Sequence, residues 1–149
     1  MRRFRSRQIR KYVSGIQGCT IQAFPGATIG RLAEHVSSGR VDISSVDFVI
    51  NNVGTNNVSS SQSVNTILSY YEDLIHQLKK VTSAKLIFTS ILPRLVDHRD
   101  SEAKVCKVNA EINNICRRKH LLYCKLYRSF LYNNLPQIRV YMLLVMGFI

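Results

Sequence analysis

Three short segments of this 149-residue chain carry residue types that can polarise a carbonyl: Pro25-Gly26-Ala27, Gly54-Thr55-Asn56-Asn57 and Ile91-Leu92-Pro93-Arg94. Glycine at position 26 lets a backbone N–H approach a ligand with no Cβ in the way, and Asn56 supplies a side-chain amide donor. Two such donors aimed at one oxygen form an oxyanion hole, which stabilises the charge that builds on a carbonyl under nucleophilic attack. Other combinations are weaker. Asp73 and His76 spell D-x-x-H, but they fall inside a helical pattern and read as a solvated helical face. Asp97-His98 follows Pro93 in a stretch that reads equally as plain surface. Cys19, Cys106, Cys116 and Cys124 lack C-x-x-C spacing, so they read as reduced core thiols rather than metal ligands.

The three segments can meet only if the elements before them end at one edge. Each follows a β-prone run: Cys19 to Phe24, Val46 to Ile50, and Lys85 to Leu92, the last stopped by Pro93. A fourth run, Leu121 to Leu126, is weaker. Between them lie helical patterns. Ala27 to Val36 carries Ile29, Leu32, Ala33 and Val36 on one face and ends at Ser37-Ser38-Gly39. Ser63 is an N-cap for a long helix bearing Ile67, Leu68, Tyr71, Leu74, Ile75 and Leu78, and Ser101 to Lys119 carries Val105, Val108, Ile112 and Ile115. The stretch from Gly54 to Gln62 reads as a loop, and the near-continuous apolar run at Val46 to Ile50 predicts a central strand covered on both faces. Strand and helix in alternation predict a parallel α/β sheet, right-handed crossovers and helices on both faces. In such sheets ligands sit at the carboxyl ends of the strands, where all three segments fall. The chain opens with Arg-rich helix-like sequence where this architecture normally begins with a buried strand, so the first strand is expected to be missing.

Composition narrows the class. A hydrophobic share of 46% with 20% charged residues is too apolar for a disordered chain and too interrupted for a membrane protein. No apolar core of a secretory signal follows the N-terminal arginines, and the apolar run Val140 to Ile149 is too short to span a bilayer, so a cytoplasmic or nuclear location is expected. The net charge is +12, with clusters at Arg2, Arg3, Arg5, Arg7, Arg10 and Lys11 and at Arg117, Arg118 and Lys119. Such patches concentrate polyanions, so nucleic acid or an anionic membrane surface is a candidate partner. The solvated-face reading is favoured, because only Phe4 and Tyr12 lie near these charges as stacking platforms.

Three blocks carry a family resemblance. Phe24-Pro25-Gly26-Ala27-Thr28-Ile29 and the stretch from Asp47 to Asn57, ending Gly54-Thr55-Asn56-Asn57, are similar to the second and third blocks of the SGNH hydrolases, or GDSL-type esterases. Ser90-Ile91-Leu92-Pro93-Arg94 and the helix around Asn109 resemble a subgroup found in animal, including transposon-associated, sequences. The resemblance covers roughly residues 6 to 140. It implies a three-layer α/β/α sandwich with a mostly parallel, flavodoxin-like sheet. It also implies one domain over 1–149, with a basic segment at 1–12 and an atypical end at 141–149. The implied reaction is acyl transfer from a small ester to water, with no cofactor and no metal. A serine attacks, a histidine takes its proton, and an aspartate orients the histidine. The Gly26 N–H and the Asn56 amide would hold the oxyanion, worth about 3–4 kcal/mol for one donor. Gly54, Thr55, Asn57 and Arg94 would serve substrate binding.

The chain departs from that pattern at three places. Asn57 stands where the family usually has aspartate. The nucleophile block, aligned on Gln8-Ile9-Arg10, puts Arg7 at the serine position, with Ser6 one residue away as the candidate nucleophile. The D-x-x-H expected near the C-terminus is replaced by Tyr141 to Ile149, and His35, His98 and His120 have no carboxylate at a family position, so no general base is identified. With Val145 as GTG, Gly147 as GGT and Phe148 as TTC, a one-nucleotide shift encodes Asp-Gly-Phe-His there, which makes a frameshift one explanation. The reading favoured is an esterase-type domain, truncated at both ends and catalytically impaired. The alternatives are a basic, non-catalytic module for nucleic acid or another polyanion, and a gene fragment without function.

Overall fold

A computed structural model describes residues 20–59 and 61–136. Helices form where apolar residues recur at three and four. Helix α1 (Ile29–Ser37) buries Ile29, Leu32, Ala33 and Val36, and the Thr28 hydroxyl caps it by accepting from the Arg31 N–H. The expected cap at Ser63 is present at the start of the long helix, where its hydroxyl accepts from the Thr66 N–H. The last long helix (His98–Arg118) starts three residues earlier than its apolar stripe suggests, with the Asp97 carbonyl accepting from the Asp100 and Ser101 N–H groups.

Strands β1 (Phe48–Asn51), β2 (Lys85–Thr89) and β3 (Leu122–Cys124) form a parallel sheet in the order β1-β2-β3. Asn51 lies beside Phe88, and Thr89 beside Cys124, so the strands end together. After β1 the chain makes a one-turn helix, α2 (Thr55–Val58), and then the 18-residue α3 (Val64–Val81); α4 is the His98–Arg118 helix. A 3-10 turn (Tyr127–Phe130) follows β3. It leads into a small antiparallel hairpin of β4 (Leu131–Tyr132) and β5 (Leu135–Pro136). Its two turn residues, Asn133 and Asn134, both hold left-handed φ, as a two-residue hairpin requires.

One core joins α1, α3 and α4 to the inner sheet face through Val49, Leu86 and Phe88. Tyr71 meets the Phe88 ring edge-on, with centroids 6.2 Å apart. On the other face Phe48, Ile50 and Leu122 are about half exposed, at 54%, 44% and 50%. The α/β architecture with a parallel sheet is therefore the expected one, and the described residues supply the sheet and the helices of one face.

Several local expectations change. Thr20 to Phe24 pair with no strand, and among the described residues β1 has β2 as its one neighbour. A strand without a partner cannot form a ladder, and this is why the β-prone run before Pro25 forms none. Among the described residues β1 therefore stands at the edge of the sheet and not at its centre, and its Phe48 and Ile50 are exposed. The expected loop from Gly54 to Gln62 contains α2. The runs expected over Lys85 to Leu92 and Leu121 to Leu126 shorten to β2 and β3. The Ser90 N–H still bonds to the Cys124 carbonyl at 3.0 Å, but its hydroxyl takes the N–H groups of Leu126 and Tyr127, so the ladder ends there. Cys106, Cys116 and Cys124 are free thiols, but of these only Cys116 is the expected core thiol, and burial pushes it up to about 11. Cys106 and Cys124 are exposed, because they lie off the apolar stripe of α4 and on the uncovered end of β3.

Candidate active site

The first loop is a turn closed by the Ala27 N–H donating to the Phe24 carbonyl at 3.0 Å. Pro25 and Gly26 occupy its centre, and Gly26 has φ +79°, the arrangement of a type II turn. Gly26 is exposed, and a Cβ there would meet nothing within 4 Å. The space beside its backbone is open.

The second loop rises from β1 and is held from several sides. Gly54 has φ +119°, and a Cβ there would lie 2.3 Å from the Tyr71 hydroxyl and 2.8 Å from Ile91 Cδ1. Tyr71 is buried and donates to the Val53 carbonyl at 2.6 Å. Burial pushes its phenol far above the ordinary range, so it stays a donor. Asn57 is fully buried; its Oδ1 accepts from the Ile29 N–H at 2.9 Å and its Nδ2 donates to Gln62 at 2.9 Å. That carbonyl therefore satisfies an N–H at the start of α1, locking α2 to the helix that follows the first loop.

Asn56 joins the two loops. Its Nδ2 donates to the Ala27 carbonyl at 2.9 Å, next to Gly26. An amide carries two hydrogens, so one engages Ala27 and the second is left for an acceptor. The structure thus brings Gly26 and Asn56 together across 30 residues of sequence.

The third loop is tied to the second through Arg94. Its guanidinium donates through Nη1 to both the Thr55 carbonyl and the Thr55 hydroxyl, and through Nε to Asp97 Oδ1 at 2.6 Å. That guanidinium holds the Asp97 carboxyl below its usual range, outweighing the opposing effect of partial burial. Asp97, in a stretch that reads from the sequence equally as plain surface, is thus part of the scaffold. Of the four residues expected at the substrate, Gly54 and Asn57 are buried, while Thr55 and Arg94 bond to each other.

The remaining candidates fall elsewhere. Asp73 and His76 lie exposed on α3, with Asp73 accepting from Gln77. His35 stacks on Phe24 at 4.5 Å, and His98 Nε2 lies 3.1 Å from the Asn134 carbonyl. Ser6, Cys19, the basic segment 1–12 and the end 141–149 lie outside the described residues.

The contacts of three further residues were not apparent from the sequence, although Ser90 and Asn109 fall in segments that carry the family resemblance. Asn109 on α4 pairs with both backbone groups of Ile91, accepting from its N–H at 2.7 Å and donating to its carbonyl at 2.9 Å. The Ser90 hydroxyl accepts from the N–H groups of Leu126 and Tyr127, which fixes the exit from β3. Asn52 places a buried Nδ2 without a hydrogen-bond partner just before the Gly54 loop. An asparagine on an otherwise apolar helix stripe, as at Asn109, is the one signal that could have been read.

No protein-family model and no curated protein matches the sequence. Solved structures do match. A member of the lipolytic G-D-S-L family from Veillonella parvula is 14% identical, with a TM-score of 0.64 over 80% of this chain and 72% of that one. A GDSL-like lipase from Bacteroides thetaiotaomicron is 18% identical, with a TM-score of 0.63 over 80% and 68%. A carbohydrate esterase family 3 protein from Talaromyces cellulolyticus is 17% identical, with a TM-score of 0.57 over 80% and 63%. At these identities the likeness is one of fold: the chain has the α/β fold of the SGNH hydrolases.

Proposed function

We propose that this chain is an SGNH-type acyl-ester hydrolase domain that keeps the oxyanion-binding half of its site and is impaired in turnover. The observation that carries this is the Asn56 Nδ2 to Ala27 carbonyl bond, which sets a side-chain donor beside the exposed Gly26 turn at the carboxyl edge of a parallel sheet. An ester carbonyl entering there meets the Gly26 N–H and the second hydrogen of Asn56. Both are in place before reaction, so little reorganisation is needed as charge develops on the oxygen. Gly54, Thr55, Asn57 and Arg94 hold the Asn56 backbone against β1, α1 and the Pro93 loop, and a small ester is the substrate class this arrangement fits.

The other half of the chemistry needs a hydroxyl whose proton passes to a base as its oxygen bonds to the carbonyl carbon. Among the described residues no serine hydroxyl is in hydrogen-bond contact with a histidine ring, and Ser90 is occupied by two N–H groups. Ser6 stays the candidate nucleophile, with no base assigned.

The test is hydrolysis of p-nitrophenyl acetate by the purified 149-residue chain. The expected rate equals that of its Asn56→Ala variant. A wild-type chain clearly faster than that variant, or labelling of Ser6 by a fluorophosphonate, overturns the impairment.

A further inference from the structure

The opposite, amino edge of the sheet holds a cleft of about 500 Å³ that plays no part in the esterase reading. It lies between the ends of α3 and α4 and the starts of β2 and β3. Its polar lining is Lys79, Thr82, Ser83, Lys85, Lys119 and His120, with no carboxylate among the lining residues. Lys79 and Lys85 have no carboxylate partner among the described residues, while Lys119 and Arg118 share Glu72, at 2.8 and 3.8 Å.

Lysines at helix ends often do no more than offset the helix dipole, so the magnitudes matter. Each helix end supplies about half a negative charge, and α3 and α4 together about one. Glu72 adds another. Against these stand Lys79, Lys85, Arg118 and Lys119, which leaves about two positive charges unopposed. A second observation lies on the adjoining sheet face. The Phe48 ring is 54% exposed, and Lys85 Nζ sits 5.7 Å from its centroid. Lys85 and Leu122 line the cleft and also border that face. A third is His120, which holds φ +54° as the residue ending α4, with the Leu121 N–H reaching back to the Cys116 carbonyl at 2.8 Å. Glycine is the usual occupant of such a position, and histidine there presents an imidazole to the cleft.

We propose that this cleft and the neighbouring Phe48 ring bind single-stranded nucleic acid, the cations taking successive phosphates and the ring one base. A charged groove bordered by an exposed aromatic suits a single strand, because stacking needs a base free of its duplex partner. The overall charge of +12 acts in the same direction by drawing a polyanion to the chain.

The experiment is fluorescence anisotropy with a labelled oligouridylate of about twelve nucleotides, using the full chain at several salt concentrations. Three phosphate contacts contribute about −2 to the slope of log affinity against log salt. The variant Lys79→Gln/Lys85→Gln/Lys119→Gln is therefore expected to lower that slope by about 2. The matched variant Arg99→Gln/Lys107→Gln/Lys125→Gln removes equal charge from exposed positions outside the cleft and is expected to change it little. Equal losses from the two variants assign binding to diffuse charge and overturn the proposal. Phe48→Ala is expected to weaken binding at least about fivefold with the slope unchanged, while Phe48→Tyr keeps the affinity. Unchanged affinity in Phe48→Ala, equal affinity for the duplex, or tighter binding to phosphatidylserine vesicles than to the strand likewise overturns it. Thermal melting of each variant separates loss of binding from loss of fold.

Discussion

The two edges of the sheet use polar side chains in opposite ways. At the carboxyl edge Asn56, Asn57, Tyr71, Arg94 and Asn109 each bond to a backbone group of another segment and so hold the loops, with one hydrogen of Asn56 left over. At the amino edge Lys79 and Lys85 face solvent, and His120 holds a left-handed φ. Where one of these side chains holds a buried backbone group, its removal leaves that group unpaired; where polar groups are exposed, removal costs the fold little and any ligand much. Substitutions at the first edge should therefore be read in stability, and those at the second in binding.

The sharpest way to break this contrast is Gly54→Ala. The new Cβ would lie 2.3 Å from the Tyr71 hydroxyl and 2.8 Å from Ile91, at φ +119°. Overpacking and the positive φ together cost about 3–5 kcal/mol, measured as a fall in the urea midpoint. A loss under about 1 kcal/mol would show that the loop is not held as described. Next is Asn109→Ala, which strips partners from the N–H and carbonyl of Ile91. Two buried backbone groups left unpaired cost about 2–4 kcal/mol. Asn109→Asp serves as a comparison, since a carboxylate can still accept from the N–H but cannot donate to the carbonyl.

These residues also show what was legible in the sequence. Ile67, Leu74 and Leu78 follow helical spacing and sit where it puts them, because that period is a local property. Gly26 and Asn56 were paired from their loops, and the bond seen is the one from Asn56 Nδ2 to the carbonyl of Ala27, the residue after Gly26. The run at Val46 to Ile50 misled because an apolar strand does not reveal how many of its faces are covered; Phe48 and Ile50 are exposed. The pairing of Asn109 with Ile91, and the meeting of Lys79, Lys85 and Lys119 in one cleft, depend on packing between distant segments. No local pattern encodes either. The described helices include none long and apolar enough to cross a membrane, in line with the interrupted hydropathy.

A smaller effect is expected at Arg94. Arg94→Ala removes the ties to Thr55 and Asp97, but Asp97 is 31% exposed and water can replace part of what it loses. Solvent screening lowers the cost of breaking such a pair to about 2 kcal/mol. The Asp97 carboxyl is depressed in the folded state, chiefly by Arg94. Its contribution is therefore present above the unfolded value near about 3.9 and lost as pH falls through the lower folded value. Urea titrations at falling pH should show the wild-type chain losing stability in that window and Asp97→Asn losing less. Parallel curves for the two would remove Asp97 from the scaffold of the carboxyl edge.

The smallest change, and the one of opposite sign, is His120→Gly. A non-glycine residue at φ +54° carries about 1 kcal/mol of backbone strain or slightly more, and glycine relieves it while adding freedom to the unfolded chain. The balance is a gain of about 0.5–1 kcal/mol in unfolding free energy. If the imidazole is kept for a ligand, the same variant should bind the oligouridylate more weakly while melting higher. A variant that melts lower would mean that His120 stabilises the end of α4 through contacts of its own. The amino edge would then resemble the carboxyl edge, and the contrast between them would narrow to the lysines.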